Sequence, residues 1–569
     1  MNPVQETREN QAPGRSLGFR ARRALLRLRL RRARSRFGHL GYGASRFLYV
    51  PPHLHLADPS MASDFLAGQI VLAGRSVLAG GRPILDLAAP SRAFAAALNG
   101  FEWLRHFEAS GSTPVREGAR RLLRQWLERR EAGRQPDAEL PEAVIRRVIA
   151  WTTHSALITE NADFAFYRRL LRHLAMDAAM LAVLAETPEI GMLRLRAAIA
   201  LMFHALALNR PAAAIAQGEK LLRAALADSI ASDGGPRDRD AGTAIRLAAD
   251  LVPLLALYRA RQRAAPEFIG AALQKLIAFG RLMQHPDGAL ALFNGAGLVP
   301  RDLVSEVTRF ASSRIGRPDS APETGFERLE DENGVLIADA GVLPAPGFGG
   351  HAGAGALAFE YSTRTDRIIV NCGIPRAAEG PGLLSYLGGP AHSTMLLDDQ
   401  AVATIGTRED LIGRHLHAPV SNGAGLVAER SRIEGHDVLM IGHDGLRAAY
   451  GYVLERRFAL LPRGGLTALD RALDIDQRGE TCRFTLAFHL HPRVLPVPLS
   501  RQDAVVLRLP HREPGQDMWL FEAPGFPLHL EESRCFEQET GLARTEAIIL
   551  DVPISGTTEI RWRIVPYHG

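Results

Sequence analysis

Lysine is almost absent from this sequence of 569 residues. Lys220 and Lys275 are its only two, and arginine supplies the rest of the 68 basic residues. So complete a bias indicates nucleotide composition rather than a special use of the guanidinium group. The net charge of +6 is unevenly placed, since residues 1–46 hold twelve arginines and two glutamates, a net of +10. The other 523 residues therefore carry −4, which excludes a globally basic, nucleic-acid-binding body, and we predict no nucleic-acid partner.

Cysteine is also scarce. Cys372, Cys482 and Cys535 are odd in number and widely spaced, which excludes a disulfide framework, and no Cys-x-x-Cys pair is present to hold zinc. We predict buried free thiols. The sequence has neither the glycine-rich phosphate loop of nucleotide-binding proteins nor the Gly-x-Ser-x-Gly turn of serine hydrolases. No cofactor is predicted.

Long apolar runs are missing as well. None reaches the roughly 18 residues that cross a bilayer. Residues 15–36 contain ten arginines that interrupt the leucines, so no export signal is visible. One interpretation of this segment is a basic amphipathic helix on an anionic membrane surface. The alternatives are a disordered basic tail or a start codon assigned too far upstream. We expect a protein that is cytoplasmic or peripheral to the membrane.

The pattern from about residue 61 to 285 is helical, with leucine and alanine at three- and four-residue steps. It predicts stacked helical hairpins, as an open solenoid or a closed toroid. The predicted helices cover residues 94–107, 118–130, 142–157, 164–184, 192–208, 212–230, 242–261 and 267–283.

From about residue 325 the pattern alternates with period two, which predicts a large antiparallel sandwich with no helix of three turns after residue 330. The fold class is therefore multidomain: an all-α half of helical hairpins, then an antiparallel β-sandwich. The predicted domains are a basic segment (1–46), a helical domain (47–310), a linker (311–326) and a β domain (327–569). The predicted strands cover residues 335–338, 356–361, 367–370, 394–397, 438–441, 458–461, 484–491, 505–509, 547–552 and 560–565.

Histidines and one polar loop are the candidate functional residues that the pattern itself offers. His351 and His392 are flanked by glycine and small residues, which leaves room for a ligand. His489 and His491 share one strand face, but a metal there would need a further ligand. The loop that ends in Asn294 and Gly295 is a second candidate for lining a cleft.

Several blocks of the chain together resemble the heparinase II/III family, in its uncharacterised bacterial members. In the helical half they are Ala57-Asp-Pro-Ser, Gly100-Phe-Glu-Trp-Leu-Arg-His, Ser232-Asp-Gly-Gly and Asp287-Gly-Ala-Leu-Ala-Leu-Phe-Asn-Gly. In the β half they are Gly355-Ala-Leu-Ala-Phe-Glu, Ile369-Val-Asn-Cys-Gly, Ala391-His-Ser-Thr-Met-Leu-Leu-Asp-Asp, His443-Asp-Gly and Phe488-His-Leu-His-Pro. The resemblance implies an α/α toroid, a β-sandwich and a sugar cleft between them.

The resemblance also implies a polysaccharide lyase that cleaves uronic-acid glycans by β-elimination. A base removes the proton at C5, an acid protonates the leaving oxygen, and a donor neutralises the uronate carboxylate. We therefore expect a lyase that acts on an acidic polysaccharide or oligosaccharide. The alternative is a catalytically lapsed member that binds glycan or assists envelope polysaccharide production.

The family's site residues carry over only in part. The donor, an Asn-Asn-His run, corresponds to Gly191-Met192-Leu193, which cannot do that work, and no tyrosine follows Asp233 until Tyr258. His351 and His392 match family histidines and are the predicted catalytic residues. The family's structural metal is held by His, Asp and His, and the matching positions are Gly353, Asn371 and His392. Only one ligand remains, so no metal is predicted.

Other residues are predicted to bind substrate in place of the missing groups. Arg237 and Arg239 would neutralise a uronate with two parallel hydrogen bonds. Their alternative is a solvated turn in which Asp238 and Asp240 are the ion partners. His154 and Tyr167 would form an aromatic sugar platform or carry a proton, and the alternative for His154 is a capped core histidine. Asn294 completes the predicted substrate-binding set.

Overall fold

A computed structural model describes residues 17–35, 37–312, 316–341, 343–344, 347–421, 423, 425–433, 436–479, 481–510, 512, 517–538 and 540–567. The chain divides into two compact units. Unit 1 comprises Met1–Ser229, Asp250–Ile269 and Thr407–Leu416, and unit 2 comprises Ile230–Ala249, Gly270–Gly406 and His417–Gly569. Each unit combines segments that are distant in sequence. The domain boundaries predicted from sequence therefore remain a prediction.

Helices follow one another from residue 59 to residue 308, as the periodicity predicts. Short turns join most of them, so consecutive helices such as α8, α9 and α10 pack side by side. The helices are α1 (Leu17–Ala33), α2 (Pro59–Leu66), α3 (Arg92–Gly100), α4 (Leu104–Glu108), α5 (Thr113–Glu131), α6 (Pro141–Thr153), α7 (Ser155–Thr159), α8 (Phe164–Ala185), α9 (Met192–Ala207), α10 (Ala212–Ser229), α11 (Ala241–Ala260), α12 (Glu267–Leu282) and α13 (Arg301–Thr308).

The prediction of helical structure from about residue 61 is wrong for residues 69–78. Residues 69–78 form a hairpin of two strands, β1 (Gln69–Leu72) and β2 (Arg75–Leu78). The two residues between them, Ala73 and Gly74, both have positive φ, at 50° and 74°. Two successive residues with positive φ make the tight turn whose twist matches that of paired strands.

Two of the predicted helices are interrupted. The helix expected over residues 94–107 ends at Gly100, because Phe101 adopts the left-handed conformation (φ 61°), and α4 starts after it. The helix expected over residues 142–157 is divided at His154 into α6 and α7. The second interruption determines where the His154 side chain points.

The core of unit 1 contains a buried ion network among apolar side chains. Asp177 accepts hydrogen bonds from Arg147 Nε and Nη2 at 2.7 and 2.8 Å and from Arg130 Nη2 at 2.7 Å. The Arg147 guanidinium also lies over the Trp126 ring, 4.8 Å from its centroid. Three well-placed charge-assisted bonds compensate for the desolvation of this carboxylate.

The chain after residue 316 is almost entirely β, and all pairings given for its strands are antiparallel. Helices in its described part are short: α14 (Gly380–Leu387) and α15 (Arg447–Tyr450), which confirms the expectation of no helix of three turns. The strands are β3 (Ser320–Ala321), β4 (Phe326–Glu330), β5 (Gly334–Asp339), β6 (Phe359–Thr363), β7 (Arg367–Val370), β8 (Met395–Leu397), β9 (Thr404–Glu409), β10 (His415–Val420), β11 (Leu426–Ile433), β12 (His436–His443), β13 (Tyr452–Leu460), β14 (Leu466–Asp474), β15 (Cys482–Leu490), β16 (Leu495–Pro498), β17 (Ala504–Arg508), β18 (Met518–Glu522), β19 (His529–Glu537), β20 (Gly541–Ile554) and β21 (Thr558–Pro566).

Two large sheets form the sandwich. One has the strand order β11-β12-β13-β14-β21-β18-β17-β16, and the other has β19-β20-β15-β7-β6-β5-β4-β3 with β8 paired to β15. Their inner faces meet in an aromatic cluster, where the Phe359 ring of one sheet lies 5.5 Å from the Trp562 ring of the other. The buried Arg456–Asp470 pair lies in the same core, with N–O distances of 2.6 and 2.8 Å. This confirms the sandwich predicted from the period-two pattern.

The fold also bears on the predictions made for the cysteines and for membrane-spanning runs. The three cysteines are buried and form no disulfide, as predicted. Within the described residues, one helix, α11, is long and apolar enough to cross a membrane, and 78% of its most apolar window is buried inside the protein.

Candidate functional site

Three segments of unit 2 meet around Asp240. The Asp240 carboxylate precedes α11 and accepts hydrogen bonds from the Gly242 N–H at 2.7 Å and from the Thr243 hydroxyl at 3.1 Å. Arg246 Nη2 lies 2.7 Å from its Oδ2 atom. These bonds satisfy a free N–H group at the start of the helix and fix the orientation of the carboxylate.

Gly295 lies where the Asp240 carboxylate and the His351 imidazole come close together. A methyl group at Gly295 would lie 2.8 Å from Asp240 Oδ2 and 3.0 Å from His351 Nδ1, so only glycine leaves room for both. The His351 side chain is exposed. A carboxylate near an exposed imidazole is an arrangement suited to general acid–base chemistry.

Asn294, a predicted substrate ligand, instead ties the three segments together. Its backbone is left-handed (φ 55°), its Nδ2 donates to the Arg239 carbonyl at 2.7 Å, and its Oδ1 accepts from the Gly353 N–H at 2.9 Å. Both ends of the amide are therefore engaged within the protein, and Asn294 positions the neighbours of His351.

The two predicted arginine ligands have different environments. Arg239 is 3% exposed, its Nη2 lies 2.6 Å from Asp339 Oδ1, and its guanidinium covers the Phe326 ring. Neither a uronate ligand nor a solvated turn describes it, because the guanidinium is committed to a buried carboxylate. Arg237 is exposed and keeps its charge at the surface of the same loop.

His392 is enclosed. It is 5% exposed, and a methyl group on Gly353 would lie 2.6 Å from its Nε2 atom. Burial, together with the neighbouring His489, lowers the pKa of His392 to about 4. The imidazole is therefore neutral near pH 7 and closed off from solvent. A substrate could contact it only if the backbone around Gly353 moved.

The positions that match the family's structural metal form no metal set. The Asn371 amide donates to Glu360 Oε1 at 3.0 Å and accepts from the Ser393 N–H at 2.9 Å. His489, the other histidine of this region, is held by the Ser533 hydroxyl at 2.7 Å and the Pro390 carbonyl at 3.0 Å. These side chains are saturated by hydrogen bonds, as structural residues are.

The segment that matches the family's carboxylate donor lies in unit 1 and is apolar. Gly191 has a φ of 56° and precedes α9, Met192 is its first residue, and Leu193 is buried. Tyr258, the first tyrosine after Asp233, donates its hydroxyl to Glu219 Oε1 at 2.9 Å, and burial together with this carboxylate raises the pKa of Tyr258. Neither position offers a proton donor to a ligand.

His154 and Tyr167 lie in separate clusters of unit 1. The Tyr167 hydroxyl accepts a hydrogen bond from the Phe47 N–H at 3.1 Å, and the two rings meet edge to face. His154 Nδ1 donates to Glu108 Oε2 at 2.6 Å, and its ring lies 5.2 Å from that of His53. The two predicted platform residues therefore contact different partners.

The sequence interpretation missed His53 and Glu108. Their distance from His154 along the chain left no spacing pattern, and the Pro51-Pro52-His53 segment looks like an ordinary loop. The one usable signal was Gly100-Phe-Glu-Trp-Leu-Arg-His, the block that leads into Glu108.

Comparison with known proteins shows which of them share this sequence and architecture. Residues 315–563 match the C-terminal domain described as Heparinase II/III-like. FtsZ-localized protein C of Caulobacter vibrioides (strain NA1000 / CB15N) is 28% identical over 538 residues, which cover 90% of this chain and 89% of that protein.

Two solved structures share the fold over nearly the whole chain. The crystal structure of heparinase III matches with a TM-score of 0.70 and 13% identity over 97% of this chain and 90% of its own. A mutant of heparan sulfate lyase HepC from Pedobacter heparinus matches with a TM-score of 0.60 and 14% identity over 97% and 89%. The helical half is thus of the α/α-toroid type and the β half is the accompanying sandwich. Residues 315–563 therefore match a Heparinase II/III-like C-terminal domain, and the whole chain has the fold of the heparinase III and heparan sulfate lyase structures.

Proposed function

We propose that this chain is a catalytically lapsed family member that binds glycan or assists envelope polysaccharide production at the membrane surface. The observation that carries the proposal is the Gly191-Met192-Leu193 segment, where the family's carboxylate donor is expected. Methionine and leucine side chains donate no hydrogen bond to a carboxylate, so no side chain at the start of α9 takes the place of the family's Asn-Asn-His run.

β-Elimination fails without that donor because the C5 proton of a uronate is too weakly acidic. The charge that develops on the carboxylate must be neutralised as the base acts, and electrostatic stabilisation of this kind is the largest single contribution to many enzymatic rates. The residues in place of the expected acid and base are equally unsuited. Tyr258 is hydrogen-bonded to Glu219, and His392 is buried.

Helix α1 supports a location at a membrane surface. Leu26 and Ala33 are buried where α1 packs on α8, and Arg23 Nη2 lies 2.5 Å from Glu409 Oε1. The opposite face exposes Leu17, Leu25 and Leu28, at 86%, 58% and 63%. A folded helix with exposed leucines among arginines fits the interface of an anionic bilayer.

The resemblance to FtsZ-localized protein C supports an association with FtsZ. It extends over 90% of this chain, so it includes the helical and the β half alike. We extend the proposal to a partner: the chain is recruited to assemblies that contain FtsZ, where a glycan-binding fold would meet envelope synthesis.

Co-sedimentation tests this partner. FtsZ from the same organism is polymerised with GTP and pelleted with the full-length protein, and a parallel sample without GTP serves as the control. We expect the protein to pellet with FtsZ only when GTP is present. Equal amounts in both pellets, or none in either, would contradict the proposed recruitment.

Lyase activity is the second candidate function, and the proximity of Asp240 and His351 favours it. The exposed imidazole of His351, close to the Asp240 carboxylate, is the candidate base for a C5 proton. If the enzyme is active, exchange of His351 for alanine should abolish cleavage, whereas exchange of the exposed His529 should not.

A further inference from the structure

Three segments of unit 1 bring His53, Glu108 and His154 together. His53 belongs to the loop before α2, Glu108 is the last residue of α4, and His154 separates α6 from α7. One ligand atom of each, an imidazole nitrogen or a carboxylate oxygen, lies within 4.8 Å of the other two. We propose that these three residues bind a divalent transition-metal ion of the Zn²⁺ type.

The residue types and their number suit such an ion. Two imidazoles and one carboxylate are the protein ligands of many zinc sites that keep a fourth position for water or a ligand. In tetrahedral coordination with bonds of 2.0–2.2 Å, the ligand atoms lie about 3.3 Å apart. Here Glu108 Oε2 is 2.6 Å from His154 Nδ1 and 3.9 Å from His53 Nε2, on either side of that value.

The hydrogen bonds around His53 leave the correct nitrogen available. Its Nδ1 donates to the His55 carbonyl at 3.0 Å, so in the neutral ring the lone pair is on Nε2, which points to Glu108. Metal-bound histidines usually have their second nitrogen fixed in this way.

Glu108 and His154 form the inner side of the site. The His154 side chain is 5% exposed and that of Glu108 is 28% exposed. Their hydrogen bond occupies the place where the ion would bind, so in the neutral His154 ring the Nδ1 hydrogen would move to Nε2 as the metal binds Nδ1.

The loop that carries His53 is anchored independently of any ion. The Asp58 N–H donates to His106 Nδ1 at 3.0 Å, and Arg105 Nε donates to the Leu56 carbonyl at 3.1 Å. The nearby Arg116 is paired with Glu160 at 3.3 Å, which reduces its repulsion of a cation. The His53 side chain is 32% exposed, so an ion can enter from solvent on this side.

Co²⁺ is a suitable probe, since its visible absorption reports coordination by nitrogen and carboxylate ligands. We expect the full-length protein to bind one equivalent, and Zn²⁺ to displace it with loss of the absorption. His53→Ala and Glu108→Gln should each weaken Co²⁺ binding by more than about 100-fold, since even outer-shell changes cost 10–100-fold. His529→Ala is the matched control, because His529 forms an exposed pair with Glu531 at 3.1 Å on β19.

Circular dichroism verifies that each variant is folded, and His53→Ala serves even if Glu108→Gln fails to fold, because His53 lies in a partly exposed loop. Loss of binding in His53→Ala with unchanged binding in His529→Ala supports the site. The absence of a visible band in the unaltered protein, or equal binding in His53→Ala, would overturn it. The readout is independent of lyase activity and of FtsZ.

Discussion

Asp177 is the residue on which the buried polar core of unit 1 depends. It is fully buried and contacts both Arg147 and Arg130. Burial alone would raise its pKa, but the two guanidinium groups outweigh it and lower the pKa of Asp177 to about 2. Loss of one member of such a network leaves uncompensated buried charge and costs about 3–5 kcal/mol.

We expect the stability of the protein to depend on this carboxylate at low pH. The folded-state pKa lies below the unfolded value near 3.8, so the stabilisation is complete above pH 4 and is lost as the pH falls through about 2. The difference corresponds to about 2 kcal/mol. Urea denaturation of the wild type and of Asp177→Asn between pH 7 and pH 2 measures it.

Asp177→Asn should be less stable at pH 7 and should lose less stability than the wild type towards pH 2. Asp64→Asn, at an exposed position of α2, is the control and should follow the wild type. Parallel curves for the wild type and Asp177→Asn would contradict the role assigned to this ion network.

At the scale of elements, α1 combines a docking face with a solvent face. Its buried Leu26 and its ion pairs with other residues of unit 1 hold the helix in place. The segment that carries the exposed leucines is therefore helical before it meets a membrane. This prefolded state avoids the ordering entropy that a disordered segment would lose on binding.

Substitution of Leu25 and Leu28 by glutamate should therefore weaken binding to anionic vesicles without loss of stability. Two exposed leucines are removed and two negative charges are added, so we expect at least a tenfold weaker partition, measured by vesicle sedimentation. Leu78→Glu, at another leucine that is 71% exposed, is the control and should bind as the wild type does. Binding of the double variant equal to the control would contradict a membrane role for α1.

Periodicity predicted most elements because burial follows it. The helix over residues 164–184 is observed as Phe164–Ala185, and the strand over residues 367–370 is observed with the same bounds. It failed at β1 and β2, where seven of the eight residues are exposed or half-buried, so burial does not follow the apolar pattern. It also missed β14. Buried and half-buried residues alternate along this strand, but the buried position of the charged Asp470 breaks the apolar pattern.

The site could be predicted only where local sequence determines it. His351 could be selected because its glycine-rich surroundings predict access. The burial of Arg239 and the engagement of Asn294 depend on Asp339 and Gly353, which are remote in sequence. The group of His53, Glu108 and His154 likewise exists only because the fold brings distant segments together.

At the scale of the whole molecule, the proposed function separates a retained fold from a lost chemistry. The toroid-type helices and the sandwich match lyase structures over 97% of the chain. A fold of this size is determined by many apolar contacts, whereas β-elimination depends on three polar groups. Loss of those groups leaves the scaffold intact and available for binding.

The charge distribution agrees with this division of roles. The net +10 of residues 1–46 contrasts with the −4 of the rest of the chain. Residues 47–569 therefore have no general attraction for an acidic glycan, and long-range attraction to anionic lipid comes from the N-terminal segment.

The most direct test of the account is a lyase assay with the full-length protein. The protein is incubated with a panel of uronic-acid polysaccharides, and the ultraviolet absorption of the unsaturated uronate product is followed, with an active lyase as the positive control. We predict no increase in absorption on any polysaccharide, because the carboxylate donor is absent. A steady increase that His351→Ala abolishes and His529→Ala retains would contradict the proposed loss of catalysis.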